Sequence, residues 1–185
     1  MKTIYTLSAL FCLSSCLISP SQNSKIKLNK PSHFPFINGA NLNGKNFKLP
    51  KDFSGKLNIV ALGFEREHQT AIDSWIPSIL KLTKDYDYLS LKFYELPVIY
   101  ELNAFSRAWI NNGMRIGIKE DDARNRTITI FTNRDKFFEI LDIQGDRIYL
   151  LLINEKGKII WRCEGEMTKE KFNFMKKILD NYKLS

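Results

Sequence analysis

One stretch limits the folds open to this chain more than any other. Leu57-Asn58-Ile59-Val60-Ala61-Leu62-Gly63-Phe64 is apolar at nearly every position. A strand with one wet face alternates apolar and polar residues, so a continuous run calls for a strand covered on both faces. Such a strand is the centre of a sheet, and the rest of the chain must supply a layer above it and a layer below.

The surrounding pattern supplies both layers. Phe34, Phe36 and Ile37, the turn signals Asn38-Gly39 and Asn43-Gly44, then Phe47 and Leu49 predict short opening strands or a hairpin. Ala71, Ile72, Trp75, Ile76, Ile79, Leu80 and Leu82 recur at helical spacing and predict a helix over 68–84. A second strand is read over 89–99, and a second helix over 102–114, with Phe105, Trp109 and Ile110 on one face and an end near Gly113. A strand at 127–131, a short helix at 136–141 and a strand at 148–153 follow. Asn154-Glu155-Lys156-Gly157 then turns into a strand at 158–162, and a last helix begins at Thr168. Alternating α and β elements that end in an antiparallel hairpin predict an α/β fold: a mixed central sheet, helices on both faces, and a C-terminal β-hairpin plus helix. Trp75, Trp109 and Trp161 fall on the apolar faces of their elements and are read as core.

In this order, several local phrases resemble the thioredoxin-like fold in its redoxin and peroxiredoxin branch. Phe36-Ile37-Asn38-Gly39 through Gly44-Lys45-Asn46-Phe47-Lys48-Leu49, with Phe53-Ser54-Gly55-Lys56, is similar to that branch's opening. Tyr149 to Arg162, followed by Gly165, is similar to its terminal hairpin. Aligning Phe64 and Pro77 with the redoxin pattern places Gln69 and Ile72 where the two active-site cysteines would stand, and the branch's cis-proline is replaced by Arg147 or Ile148. The resemblance therefore implies the fold without its dithiol chemistry. In the second half, Gly113-Met114-Arg115 with Ile118, Asp122 to Thr127, Tyr149 to Ile153, Ile159-Ile160-Trp161 and Gly165 resemble the mitochondrial ATP synthase assembly-factor family. That resemblance implies a chaperone-like role with membrane subunits.

The N-terminus resembles a bacterial lipoprotein signal: Lys2, the apolar run from Ile4 to Leu13, then Ser14 and Ser15 before Cys16. It implies cleavage before Cys16, a diacylglycerol on the Cys16 sulfur and attachment to the membrane through that lipid. Leu17, rather than Asp, implies sorting to the outer membrane, facing the periplasm. The alternatives are an ordinary secretory peptide cut near Ser19 and a short transmembrane anchor, for which the run falls well below the ~20 residues needed to span. The chain thus divides into a signal (1–15), a lipidated cysteine with a flexible linker (16–32) and a thioredoxin-like domain (33–185).

Charge and cysteine usage narrow the chemistry. The net charge is +8, and Lys25, Lys27, Lys30, Lys45, Lys48, Lys51 and Lys56 crowd the first third, as a basic stem near anionic headgroups would. An ordinary solvated basic surface explains them as well. No nucleic-acid motif accompanies the charge. Only Cys163 remains in the mature chain, and His33 and His68 stand apart without companion ligands, so no metal or other cofactor is expected.

The candidate binding residues are Glu65, Arg66, Glu67, His68 and Gln69, placed where a strand hands over to a helix. There Arg66 and His68 can donate to an anionic group; alternatively, the acids offset the helix dipole and Arg66 pairs with them. Arg115 and Arg126, with Arg124, make a basic loop around Met114, Ile116 and Ile118 that suits a partner or simply solvent. Cys163 shares a strand face with Ile159 and Trp161, which reads as a buried, inert position, although a thiol peroxidase using Cys163 is the competing function. The favoured reading is a membrane-anchored, non-redox binding or assembly protein of the bacterial cell envelope, with no catalytic residue and with a protein partner in the envelope.

Overall fold

The computed structural model describes residues 33–182; the lipoprotein-like signal, Cys16 and the linker lie outside them. In chain order the elements are β1 (Ile37–Asn41), β2 (Asn46–Leu49), β3 (Leu57–Gly63), a 3-10 turn (Arg66–His68), α1 (Gln69–Asp73), α2 (Ile76–Asp85) and β4 (Leu91–Tyr100). Then come α3 (Ala104–Gly117), α4 (Asp121–Arg126), β5 (Ile128–Thr132), α5 (Arg134–Leu141), β6 (Tyr149–Asn154), β7 (Ile159–Glu164) and α6 (Lys169–Tyr182). The strands form one sheet in the order β2-β1-β5-β4-β3-β6-β7. β3, β4 and β5 are parallel neighbours, while β1 pairs antiparallel with β5 and β6 pairs antiparallel with β3. This is the mixed α/β sheet read from the sequence, with its C-terminal hairpin and helix.

β3 is buried along its whole length. Its residues divide between two cores, as the pleat requires. Val60 and Leu62 pack with Phe34, Leu96, Ile130, Phe137 and Leu141 on the α5 face. Leu57, Ile59 and Ala61 pack with Trp75, Ile79, Leu82, Met175 and Leu179 beneath α1, α2 and α6. At about 1.5–3 kcal/mol per fully buried large apolar side chain, these two layers are the main stabilising term. Asn58, the polar exception in the run, is satisfied within its own loop: its Oδ1 accepts from Gly55 N at 3.0 Å and its Nδ2 donates to Gly55 O at 2.9 Å. Gly55 itself must be glycine, because a Cβ there would lie 2.4 Å from Leu57 O and 2.5 Å from Ser90 O.

Four details differ from the sequence reading. The helix expected over 68–84 is broken at Ser74–Trp75. Pro77, near the start of α2, lacks an N–H and crowds the preceding turn. The break is pinned by Ser74 Oγ, which donates to Ala71 O at 2.7 Å and accepts from Met167 N at 3.0 Å. Second, α3 runs through Gly113 to Gly117, and Phe105 and Trp109 point to solvent, 83% and 75% exposed, so Trp109 is not core. Third, 121–126 is helix rather than loop, and α5 starts at Arg134, capped by Asn133 Oδ1 accepting from Lys136 N at 3.0 Å. Fourth, an irregularity between Leu152 and Ile153 pairs Ile153 with Ile159 but Leu152 with Trp161, making Ile160 the extra residue of a bulge. Ile159 therefore joins the α5-side core, while Trp161 and Cys163 face the other.

Candidate functional site

In an open sheet with parallel strands, chemistry gathers beyond their C-terminal ends. Here those ends bring together Phe64 and Glu65 after β3, Tyr100 at the end of β4, and Arg134 and Phe138 on α5. Arg134 dominates the site, although the sequence reading did not select it. It is 5% exposed, and its guanidinium lies 4.3 Å from the Tyr100 ring centre, 5.4 Å from Phe138 and 5.8 Å from Phe64. Its Nη2 donates to Glu65 Oε1 at 2.9 Å, and its buried Nε has no partner among the described residues. Gly145 lies over the group, and a Cβ there would meet the Phe138 ring at 2.8 Å. The only early signal was indirect: a strong N-cap, Asn133, makes the next residue the first of a helix at the strand end.

The residues predicted from sequence are split by this geometry. Glu65 pairs with Arg134 across the sheet end, not with Arg66. Arg66 and Glu67 are exposed, and neither forms an ion pair among the described residues. His68 Nδ1 accepts from Phe64 N at 3.1 Å, which places the ring proton on Nε2 and leaves that nitrogen alone to donate outward. Gln69 turns to the opposite face of the sheet, where it donates to Asp73 Oδ1 at 2.8 Å and stands beside the Glu95 carboxylate. Glu95, also missed, is held by Arg126, whose Nε donates to it at 2.9 Å and whose guanidinium lies over Phe93. Burial pushes the Glu95 carboxyl above its ordinary range, and Arg126 opposes part of that shift. Gln69 and Arg126 thus belong together around Glu95, while Arg115 sits exposed on the last turn of α3, away from both groups.

Cys163 pairs across β6–β7 with Leu150 and packs against the α6-side core. Burial pushes its thiol up to about 12, against a weaker pull from Lys171. Arg162 reaches the other way, donating to Leu141 O at 2.6 Å. At neutral pH the thiolate fraction is then lower than that of an ordinary cysteine by a factor on the order of 10³. In a Cys12→Ser/Cys16→Ser background, the native chain at pH 8 should leave a thiol reagent almost unconsumed and consume it rapidly once unfolded in denaturant. Rapid native labelling would show that the thiol is accessible and activated.

Among the described residues, no group of three or more His, Cys, Asp or Glu is placed to hold a metal ion, and no helix is long and apolar enough to cross a membrane. The sequence profile of the ATP10 protein family matches residues 17–181, nearly the whole chain. The chain belongs to the ATP10 protein family. Its resemblance to assembly factors thus extends over both halves, and this ATP10 family member carries an assembly-type role on a thioredoxin-like fold. No curated protein sequence matches it.

Solved structures with the same architecture include yeast Sco1, at 16% identity and a TM-score of 0.55, covering 85% of this chain and 98% of that one. The thioredoxin domain of a thiol-disulfide oxidoreductase from Bacteroides vulgatus matches at 20% identity and a TM-score of 0.52, covering 82% and 99%. A thiol:disulfide interchange protein from Bacteroides sp. matches at 22% and 0.51, covering 83% and 91%. At these identities the likeness concerns the fold alone. It does not extend to the oxidoreductases' dithiols, since Cys163 is the one cysteine among the described residues.

Proposed function

We propose that this ATP10 family member is an assembly factor that works by holding a protein client rather than by thiol exchange, and that it does so from the bacterial cell envelope, tethered through a lipid on Cys16. The observation that carries the reading is the Glu65–Arg134 pair. Gln69 and Ile72 stand where dithiol proteins of this fold place their cysteines, and beside them, at the start of α5, this chain has a buried guanidinium against three aromatic rings, closed by one half-exposed carboxylate. Such a site offers a charged hydrogen-bond donor and ring faces for recognition and contains no nucleophile. Arg66 and Glu67, both exposed, and the half-buried His68 follow Glu65 directly in the chain, and the Cys163 thiol is half-buried on another element. The lipid tether rests on the sequence from Lys2 to Cys16.

The test is crosslinking and purification of the full chain from its native membrane, comparing wild type, Arg66→Ala/His68→Ala and Cys163→Ser. A discrete protein partner held by wild type and by Cys163→Ser, and reduced at least fivefold in the double variant, is the expected result. A partner released by reductant and lost with Cys163→Ser would instead establish the thiol as the working group. Recovery of the full chain in the soluble fraction, with Cys16 unmodified by mass spectrometry, would remove the tether.

A further inference from the structure

α3 is apolar on two sides. Ile110 and Met114 are half-buried on one side, yet no residue of the helix is fully buried, and the other side exposes Phe105 (83%), Trp109 (75%) and Ile116 (72%). A helix that is apolar around most of its circumference belongs between two layers, and only one is present here. Phe105, Trp109, Gly113 and Gly117 form a single i, i+4 ridge whose first two members are large and whose last two are glycines. A Cβ on Gly113 or Gly117 would meet nothing within 4 Å, so nothing among the described residues requires glycine at either place.

We propose that this face of α3 pairs antiparallel with α3 of a second copy of the chain. About a two-fold axis, Trp109 of one copy lies over Gly113 of the other, Phe105 lies over Gly117, and both contacts occur twice. The ridge is complementary to itself only in that direction, because a parallel pair would set tryptophan on tryptophan. Area and charge fit the same occupant. The two rings offer on the order of 300 Å² per copy at their exposures, and with Ile116 and Ala108 the two copies together approach the ~1,000 Å² of a specific interface. An anionic bilayer gains no net attraction here, because Arg107, Arg115 and Lys119 are offset by Glu101, Glu120, Asp121 and Asp122. This association is independent of client binding at Arg134.

Steric exchange tests it. Gly113→Trp keeps every apolar side chain and adds one, so a lipid surface or an apolar client would be bound as well or better, whereas the antiparallel pair would collide tryptophan on tryptophan. By sedimentation velocity over a concentration series of the full chain in the Cys12→Ser/Cys16→Ser background, which carries no lipid of its own, the chain with α3 unchanged should dimerise reversibly. Trp109→Gly and Gly113→Trp should each weaken the dimer at least tenfold, and Trp109→Gly/Gly113→Trp should restore it. Phe105→Gly with Gly117→Phe gives a second exchange pair should Gly113→Trp fail to fold, as judged by circular dichroism. A monomer at all concentrations, self-association unchanged in the single variants, or a Gly113→Trp chain that associates more strongly would overturn the proposal. Flotation of Gly113→Trp with anionic vesicles at or above the wild-type level, without wild-type dimerisation, would assign the face to membrane.

Discussion

Replacing Trp75 with alanine should lower the free energy of unfolding by about 3–5 kcal/mol, the largest loss expected from any single truncation in this chain. The indole is completely buried among Ile59, Ile79, Met175 and Leu179 on the α6-side face. It stands at the break between α1 and α2, where its own N–H donates to Ile72 O at 2.9 Å. Its Nε1 donates to Gly165 O at 3.0 Å, tying the break to the turn that leads into α6. Truncation therefore opens a cavity and also removes the donor from a partly buried carbonyl, two costs that add. Trp109→Ser is the control: at concentrations below self-association it should stay within about 0.5 kcal/mol of wild type, since its ring is mostly in water. Urea unfolding of both variants decides the matter, and equal losses would mean that the burial assigned to Trp75 is wrong.

The same pair of tryptophans shows how far the sequence could be read. Periodicity identifies a face but cannot say what covers it. Ala71, Ile72, Trp75, Ile76, Ile79 and Leu82 met the sheet as expected, whereas Leu80, read on the same face, is exposed, and Phe105 and Trp109 had the same spacing and turned outward. The central strand was legible because burial on both faces leaves no polar residue except one with a local partner, Asn58. Helix continuity across Ser74–Trp75 was misjudged because the apolar spacing continues through the break, and only Pro77 and the hydroxyl of Ser74 record it. At the site, the stretch from Glu65 to Gln69 was found because its residues are adjacent in the chain. Arg134 and Glu95 escaped because each is 31 or more residues from the partner that gives it meaning, Glu65 and Arg126. A pairing between distant residues leaves no periodic trace, and a charged residue within an element looks like any solvated one until the fold buries it.

Arg134 yields the second large effect, and one that separates structural from functional demand. Arg134→Ala should cost about 2–4 kcal/mol: the truncation removes the stem packed among Phe64, Tyr100 and Phe138 and the ring contacts of the guanidinium, each worth up to ~2 kcal/mol when desolvated. Arg134→Met should cost less than about 1 kcal/mol. Methionine refills most of the volume, the unpartnered Nε and the cost of burying the charge disappear, and Glu65, 54% exposed, regains water. Folding stability alone would then tolerate methionine at this position, which leaves the guanidinium itself for recognition. Under the client-binding reading, Arg134→Met keeps its melting temperature and its α3-dependent self-association but loses the crosslinked partner. If Arg134→Met instead unfolds as readily as Arg134→Ala, the charge is part of what holds α5 to the ends of β3 and β4, and the binding site must be sought among Arg66, Glu67 and His68 alone.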